Sequence, residues 1–105
     1  MKVMFVCSGG MSTAMTAKKL EEISLKHGNP MSVVAYGTSD YQSALEKETY
    51  DVVLVAPQIR HRYDTIQAVV NKFAGVRCGK IPPQMYAPME PAVKKLYEFI
   101  VDLMK

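Results

Sequence analysis

A three-layer α/β fold, a parallel sheet with helices on both faces, is what this sequence predicts, and two features of its patterning carry the prediction. Runs of β-branched and apolar residues alternate with segments whose apolar residues return at helical spacing, and alternating strands and helices close into a parallel sheet through right-handed crossovers. The strongest runs, Val3–Val6 and Val52–Ala56, are also continuous in apolar residues rather than alternating. That is the mark of strands covered on both faces. A chain of 105 residues makes one domain, 1–105, with 49% hydrophobic and 22% charged residues in an ordinary globular balance. The net charge of +3, without a polybasic run, does not argue for nucleic acid. The first apolar run is too short to span a bilayer and no charged leader precedes it, so a soluble, cytoplasmic protein without membrane insertion is expected. Cys7 and Cys78 form neither a CxxC pair nor a zinc spacing, which suits a reduced setting and implies no metal and no cofactor.

The first strand runs from Lys2 into Cys7. Ser8, Gly9 and Gly10 then turn the backbone without a Cβ penalty, and Ser12 or Thr13 is placed to cap a helix reaching His27, with Ala17, Leu20, Ile23 and Ser24 on its inner side. Gly28 stops that helix, and 31–36 reads as the second strand. Ser39 or Asp40 caps a short helix to about Glu48, with Tyr41, Ala44 and Leu45 inward. Val52–Ala56 is the central strand, broken by Pro57. The spacing of Ile66, Val69, Val70 and Phe73 predicts an amphipathic helix from Asp64 to Phe73, ended by Gly75. A fourth strand fits 77–81, because Pro82 and Pro83 forbid its extension. Pro91 suits the first turn of a last helix carrying Val93, Leu96, Tyr97, Ile100 and Leu103.

Ligands of open α/β sheets bind beyond the carboxyl ends of the strands, where this reading puts Cys7 and, as a second wall, Pro57, Gln58 and Ile59. A loop of free N–H groups at a helix N-terminus favours an anion, whether a thiolate or a phosphoryl group on its sulfur. An isolated strand cysteine is most often inert core. The glycines and hydroxyls after Cys7 favour a nucleophile instead. Neither GxGxxG nor GxxxxGK followed by Ser or Thr occurs after the first strand, which removes the dinucleotide and nucleotide loops. A cysteine phosphatase loop places an arginine six residues after its nucleophile to clamp phosphate. Here that residue is Thr13, so the loop can hold phosphate through amides and hydroxyls but lacks the fixed charge that speeds hydrolysis.

Cys7-Ser-Gly-Gly-Met-Ser-Thr-Ala and Val55-Ala-Pro-Gln-Ile-Arg resemble the two motifs of the IIB components of the bacterial sugar phosphotransferase system (PTS), of the lactose, cellobiose and chitobiose class. The resemblance runs along the whole chain. It implies a four-stranded parallel sheet with flanking helices, Rossmann-like and similar to the low-molecular-weight tyrosine phosphatases. It also implies that Cys7 accepts phosphoryl from a histidine of a IIA protein and passes it to a sugar, of the β-linked disaccharide kind, bound by membrane IIC. On that reading Ser8, Gly9, Gly10, Met11, Ser12, Thr13 and Ala14 form the phosphate loop. Pro57, Gln58, Arg60, His61 and Tyr86 form a second wall or partner surface. The chain departs from the family pattern at Ala14, Ala56, His61, Pro82 and Ala87.

Cys78 has no helix start behind it and is expected to be structural. His27 suits a helix end, and Arg60 and Arg62 suit either solvent or an acidic partner. Two other functions stay open on the residues: phosphatase or arsenate-reductase chemistry, disfavoured by Thr13 and the lack of relay cysteines, and a non-catalytic regulatory module read by partners.

Overall fold

The computed structural model describes residues 1–8 and 11–105, with backbone only at Met11 and Ser12. Its strands are β1 (Lys2–Cys7), β2 (Ser32–Gly37), β3 (Val52–Val55) and β4 (Arg77–Lys80). Its helices are α1 (Met11–Lys26), α2 (Tyr41–Lys47), α3 (Tyr63–Val70) and α4 (Glu90–Leu103), with 3₁₀ segments at Pro57–Arg62 and Pro83–Met85. All pairings are parallel and the sheet order is β2-β1-β3-β4. The chain therefore steps outward from β1 to β2, then returns across β1 to β3 and on to β4. Right-handed crossovers put α1 on one face and α2 and α3 on the other. After β4 the chain recrosses, and α4 packs against α1.

The central strands confirm the continuous apolar pattern: Val3 to Val6 and Val52 to Val55 are all inaccessible to solvent. Thr13, Thr16, Ala17, Leu20, Ile23 and Ser24 form the buried face of α1. Ser24 Oγ donates to Glu21 O at 2.8 Å and accepts from Met31 N at 2.9 Å, which ties the end of α1 to the approach of β2. Gly28, at φ 72°, makes the left-handed stop. As an edge strand β2 presents an outward N–H, and Glu21 Oε2 accepts it from Val33 at 2.7 Å. That bond occupies a position open to a foreign strand.

Three local expectations are corrected. Helix α1 is already under way at Met11, so Ser12 and Thr13 lie within its first turn instead of ahead of it. Asp40 stands at the N-cap of α2 in helical geometry and makes no side-chain cap, and Ser39 lies outside that position. Helix α3 stops at Val70, not Phe73. Asn71, Lys72 and Phe73 continue as turns, their amides bonded to Gln67 O, Val69 O and Val70 O, before Gly75 at φ 80° redirects the chain. Periodicity reads which side chains face the sheet, and Val69 and Phe73 do pack on the core. It does not read where α-helical bonding loosens into tighter turns.

Candidate functional site

Register sets the geometry of the carboxyl edge. Cys7 ends β1 opposite Gly37, and Ala56 N donates to Val6 O at 2.9 Å, so Pro57 leaves the sheet beside Cys7. Ile81 N likewise donates to Val55 O at 2.9 Å, which brings the β4 exit to the same edge. Neighbouring strands lie about 4.8 Å apart. One spacing thus separates Cys7 from the Ala56–Pro57 step, and two separate it from Ile81.

Cys7 is buried, and its Sγ–H donates weakly to the Tyr36 carbonyl at 3.7 Å. Ser8 follows as an exposed bend. Gly9 and Gly10 and the side chains of Met11 and Ser12, all assigned to the phosphate loop, lie outside the described residues. Ala14 is exposed, as is Met15 after it. Thr13 is 3% exposed, and its hydroxyl makes a short hydrogen bond with the phenol of Tyr86.

That bond closes the site from the far end of the chain. The turn 83–85 carries the Met85 and Tyr86 amides onto Pro82 O and Pro83 O, at 2.9 and 3.2 Å, and this folds Tyr86 back over α1. Burial raises the Tyr86 phenol above its ordinary range, the Thr13 hydrogen bond draws it partly back, and the nearby Cys7 raises it further. Tyr86 therefore stands within electrostatic reach of Cys7 and keeps its proton. Cys7, Thr13 and Tyr86 are the sequence-predicted residues that the fold brings together.

The second wall is only partly as expected. Pro57 is half-buried and Gln58, Arg60, His61 and Arg62 are exposed, whereas Ile59 turns into the core at 5% exposure. The backbone kinks at Ile59, φ −121° and ψ 28°, which breaks the 3₁₀ segment in two and separates its inward residue from its outward ones. The His61 side chain has no hydrogen-bond partner among the described residues. His27 is exposed just past α1 and stacks on Tyr97, with ring centroids 4.8 Å apart.

Two neighbours of the site escape sequence reasoning. Tyr36 is one, since it acts through its carbonyl, a group that every residue owns. Lys80 is the other. It ends β4 at the carboxyl edge, with its ammonium 5.0 Å above the Tyr63 ring. Together with Arg60, Ile81, Pro82 and Pro83 it lines a cleft of about 280 Å³. Only the β3–β4 register, which no local pattern encodes, reveals that placement. Cys78 is half-buried and its thiol is pushed up to about 11, by burial foremost, with Tyr63 and the Gly79 amide drawing it partly back.

A cysteine at a strand-to-helix turn with a buried hydroxyl beside it can bear a transferable group. Known proteins bear comparison with that arrangement. The solved lactose-specific IIB component domain of the phosphoenolpyruvate:carbohydrate phosphotransferase system from Streptococcus pneumoniae superimposes with a TM-score of 0.82 over 100% of this chain and 98% of that one, at 18% identity. That likeness establishes the shared fold. An oligo-beta-mannoside-specific EIIB component of the PTS from Bacillus subtilis is 26% identical over 98% of this chain and 95% of its own length. The lactose-specific EIICB component of the PTS from Streptococcus mutans is 23% identical over 98% of this chain, which spans 18% of that longer protein. The family model for PTS system, lactose/cellobiose-specific IIB subunits matches residues 2–96. A strand-borne cysteine, a four-stranded parallel sheet and a match across nearly the whole chain converge: the chain belongs to the lactose/cellobiose-specific IIB family of the sugar phosphotransferase system.

Proposed function

We propose that Cys7 is the phosphoryl carrier of a sugar phosphotransferase system, charged by a phosphohistidine of a IIA protein and discharged to a sugar held by a membrane IIC protein. In the first step the Cys7 thiolate attacks phosphorus, the S–P bond forms as the N–P bond breaks, and the histidine nitrogen keeps the electron pair. In the second a sugar hydroxyl oxygen attacks, the O–P bond forms, the hydroxyl proton passes to a base, and the thiolate is returned. Residues 8–14 hold the phosphoryl oxygens, with Thr13 steadied by Tyr86. Pro57, Gln58, Arg60 and His61 border the partner's approach. The acceptor is a β-linked disaccharide or similar, in keeping with relatives named for lactose and oligo-beta-mannosides. The work is cytoplasmic, and no helix among the described residues is long and apolar enough to cross a membrane.

The observation that carries this reading is the placement of Cys7 at the carboxyl end of β1, six residues ahead of buried Thr13, which stands where a phosphatase has arginine. The test is to incubate the protein with phosphorylated IIA of the lactose/cellobiose class and follow intact mass. Wild type gains one phosphoryl group, which disappears when IIC-containing membranes and sugar are added. Cys7→Ser gains none, because a serine hydroxyl in the same place is far less ionised than a thiol. A Ser variant charged at the wild-type rate refutes the assignment. Turnover of a chromogenic phosphate ester would move the protein to the phosphatase class.

A further inference from the structure

Between the 3₁₀ segment at Pro57–Arg62 and the exit of β4 the fold makes a cleft of about 280 Å³ that the chemistry of Cys7 does not use. Lys80 pairs with Val55 and Val55 with Val6, so Lys80 lies on the sheet face that Val6 presents, whereas Cys7, next along β1, belongs to the opposite face. The charged groups of the cleft are the Arg60 guanidinium and the Lys80 ammonium, and no ion pair among the described residues engages either. Asp64, the carboxylate closest to Arg60 along the chain, stays in the first turn of α3 and forms no such pair. The rest of the lining is apolar: Ile81, at 2% exposure, with Pro82 and Pro83. The cleft is preformed. Lys80 is held 5.0 Å above the Tyr63 ring, whose hydroxyl donates to Cys78 O at 3.4 Å. Proline fixes φ at two successive wall positions, and the Met85 and Tyr86 amides close a turn onto Pro82 O and Pro83 O. Two cations beside a rigid apolar wall select an anion with an apolar body. A phosphate monoester carries close to two negative charges at neutral pH, enough to match both cations.

We propose that this cleft binds a sugar phosphate monoester, the chemical product of the transfer, and that its occupation opposes the charging of Cys7. The binding site stands on the cleft alone; its effect on charging rests on Cys7 being the phosphoryl carrier. Size and chemistry select the ligand. The volume falls just under the ~300–1,000 Å³ of drug-sized sites and suits one phosphorylated sugar ring. The phosphate oxygens meet Arg60 through paired N–H groups and Lys80 as a point charge, and a C–H face of the ring lies along Pro82 and Pro83 above Ile81. An uncharged sugar leaves both cations unmatched, and inorganic phosphate leaves the apolar wall wet, so each binds more weakly than the ester. The effect on Cys7 is electrostatic. The β4 exit lies two strand spacings from Cys7, about 10 Å. Two phosphate dianions at that separation in water repel by an amount worth roughly two- to fivefold in affinity, the larger factor at low salt. Linkage makes the effect reciprocal: phosphocysteine weakens the hold on the ester, and the bound ester disfavours phosphocysteine by the same factor. Accumulated product thus holds the carrier uncharged, from the opposite face of the sheet to the chemistry.

The test titrates glucose 6-phosphate, inorganic phosphate and glucose into the uncharged protein at about 20 mM salt and follows backbone amide shifts. Glucose 6-phosphate should move the amides of Arg60, Lys80 and Ile81 and bind about tenfold more tightly than either of the others. Lys80→Glu should weaken it by about tenfold or more, while Lys80→Arg stays within about threefold. Inorganic phosphate that binds as tightly as the ester overturns the proposal, since the cleft would then read charge alone. Ester binding that moves only the amides of residues 8–14 and survives Lys80→Glu also overturns it, by assigning the anion to the Cys7 loop. So does the absence of ester binding at ~10 mM. A second arm mixes the protein with phosphorylated IIA and reads the equilibrium share of phosphocysteine by intact mass. Saturating glucose 6-phosphate should move phosphoryl back toward IIA by roughly two- to fivefold in wild type and leave the balance unmoved in Lys80→Glu. A wild-type balance indifferent to bound ester overturns the feedback. Wild type that takes no phosphoryl at all refutes the carrier reading of Cys7 and the feedback with it, and leaves the binding site standing on the first arm.

Discussion

Tyr86→Phe removes the side-chain hydrogen bond that joins the segment between β4 and α4 to the start of α1. The substitution removes only the phenolic oxygen, so the ring continues to fill its place. Thr13, 3% exposed, then loses the partner of its hydroxyl where water has little access to replace it. A buried hydroxyl left unsatisfied costs about 1–3 kcal/mol. For a domain near 100 residues each kcal/mol is worth about 4–8 °C, so the thermal midpoint should fall by roughly 5–15 °C. Thr13→Val strands the Tyr86 hydroxyl instead and should cost less, since Tyr86 is 8% exposed. The double variant removes both partners and should recover much of the loss, as replacing a pair with apolar groups is nearly neutral. Urea unfolding of the four proteins gives the coupling energy directly, with an expected magnitude of about 1 kcal/mol or more. Losses that add to within about 0.3 kcal/mol would show that Thr13 and Tyr86 act independently, and would remove the argument that Tyr86 steadies the loop.

Three further outcomes follow from the same chemistry. Cys78, with its thiol at about 11, should resist alkylation in the folded protein at neutral pH and react faster as pH rises toward that value; quantitative labelling near pH ~7 would contradict its burial. Tyr50, Tyr63, Tyr86 and Cys78 are all raised, by burial foremost, so the native state holds protons that unfolded phenols and thiols release near pH ~10 and ~8.5. Their contribution is present in full below those values and is lost as pH climbs through the folded ones, so unfolding free energy should fall from about pH 9 upward, and a flat profile to pH ~11 would refute the shifts. Phosphorylated Cys7, freed of its donor, should persist in buffer and vanish on addition of IIC membranes and sugar, because each 1.4 kcal/mol of absent transition-state stabilisation slows hydrolysis about tenfold and Thr13 supplies no charge. Loss within seconds in buffer alone would show that the loop hydrolyses phosphate.

What the sequence makes legible is whatever one segment settles for itself. Val52–Val55 is apolar at every position, a pattern that fits a strand covered on both faces, and all four side chains are indeed inaccessible. Gly28 was legible as a stop because it takes the left-handed region at the end of α1, whereas Gly75, also left-handed, redirects the turn after α3 and does not end the helix. Helix α3 was readable in the direction of its apolar side and not in its length, since Phe73 packs inward equally well from a turn. The candidate site divides along the same line. Cys7 is legible as the last residue of its own apolar strand, while Gly9 and Gly10 lie outside the described residues. Ile59 does not: the second wall needs an outward residue there, but the kink at its own φ turns it inward. The Thr13–Tyr86 bond spans 73 residues, and the nearness of Lys80 to Arg60 depends on β4 pairing with β3 in one register. A shift of one residue would send Lys80 to the other face of the sheet. Register is decided by the apolar packing of the whole sheet, so the cleft that Lys80 and Arg60 share is a property of the fold that no stretch of its sequence contains.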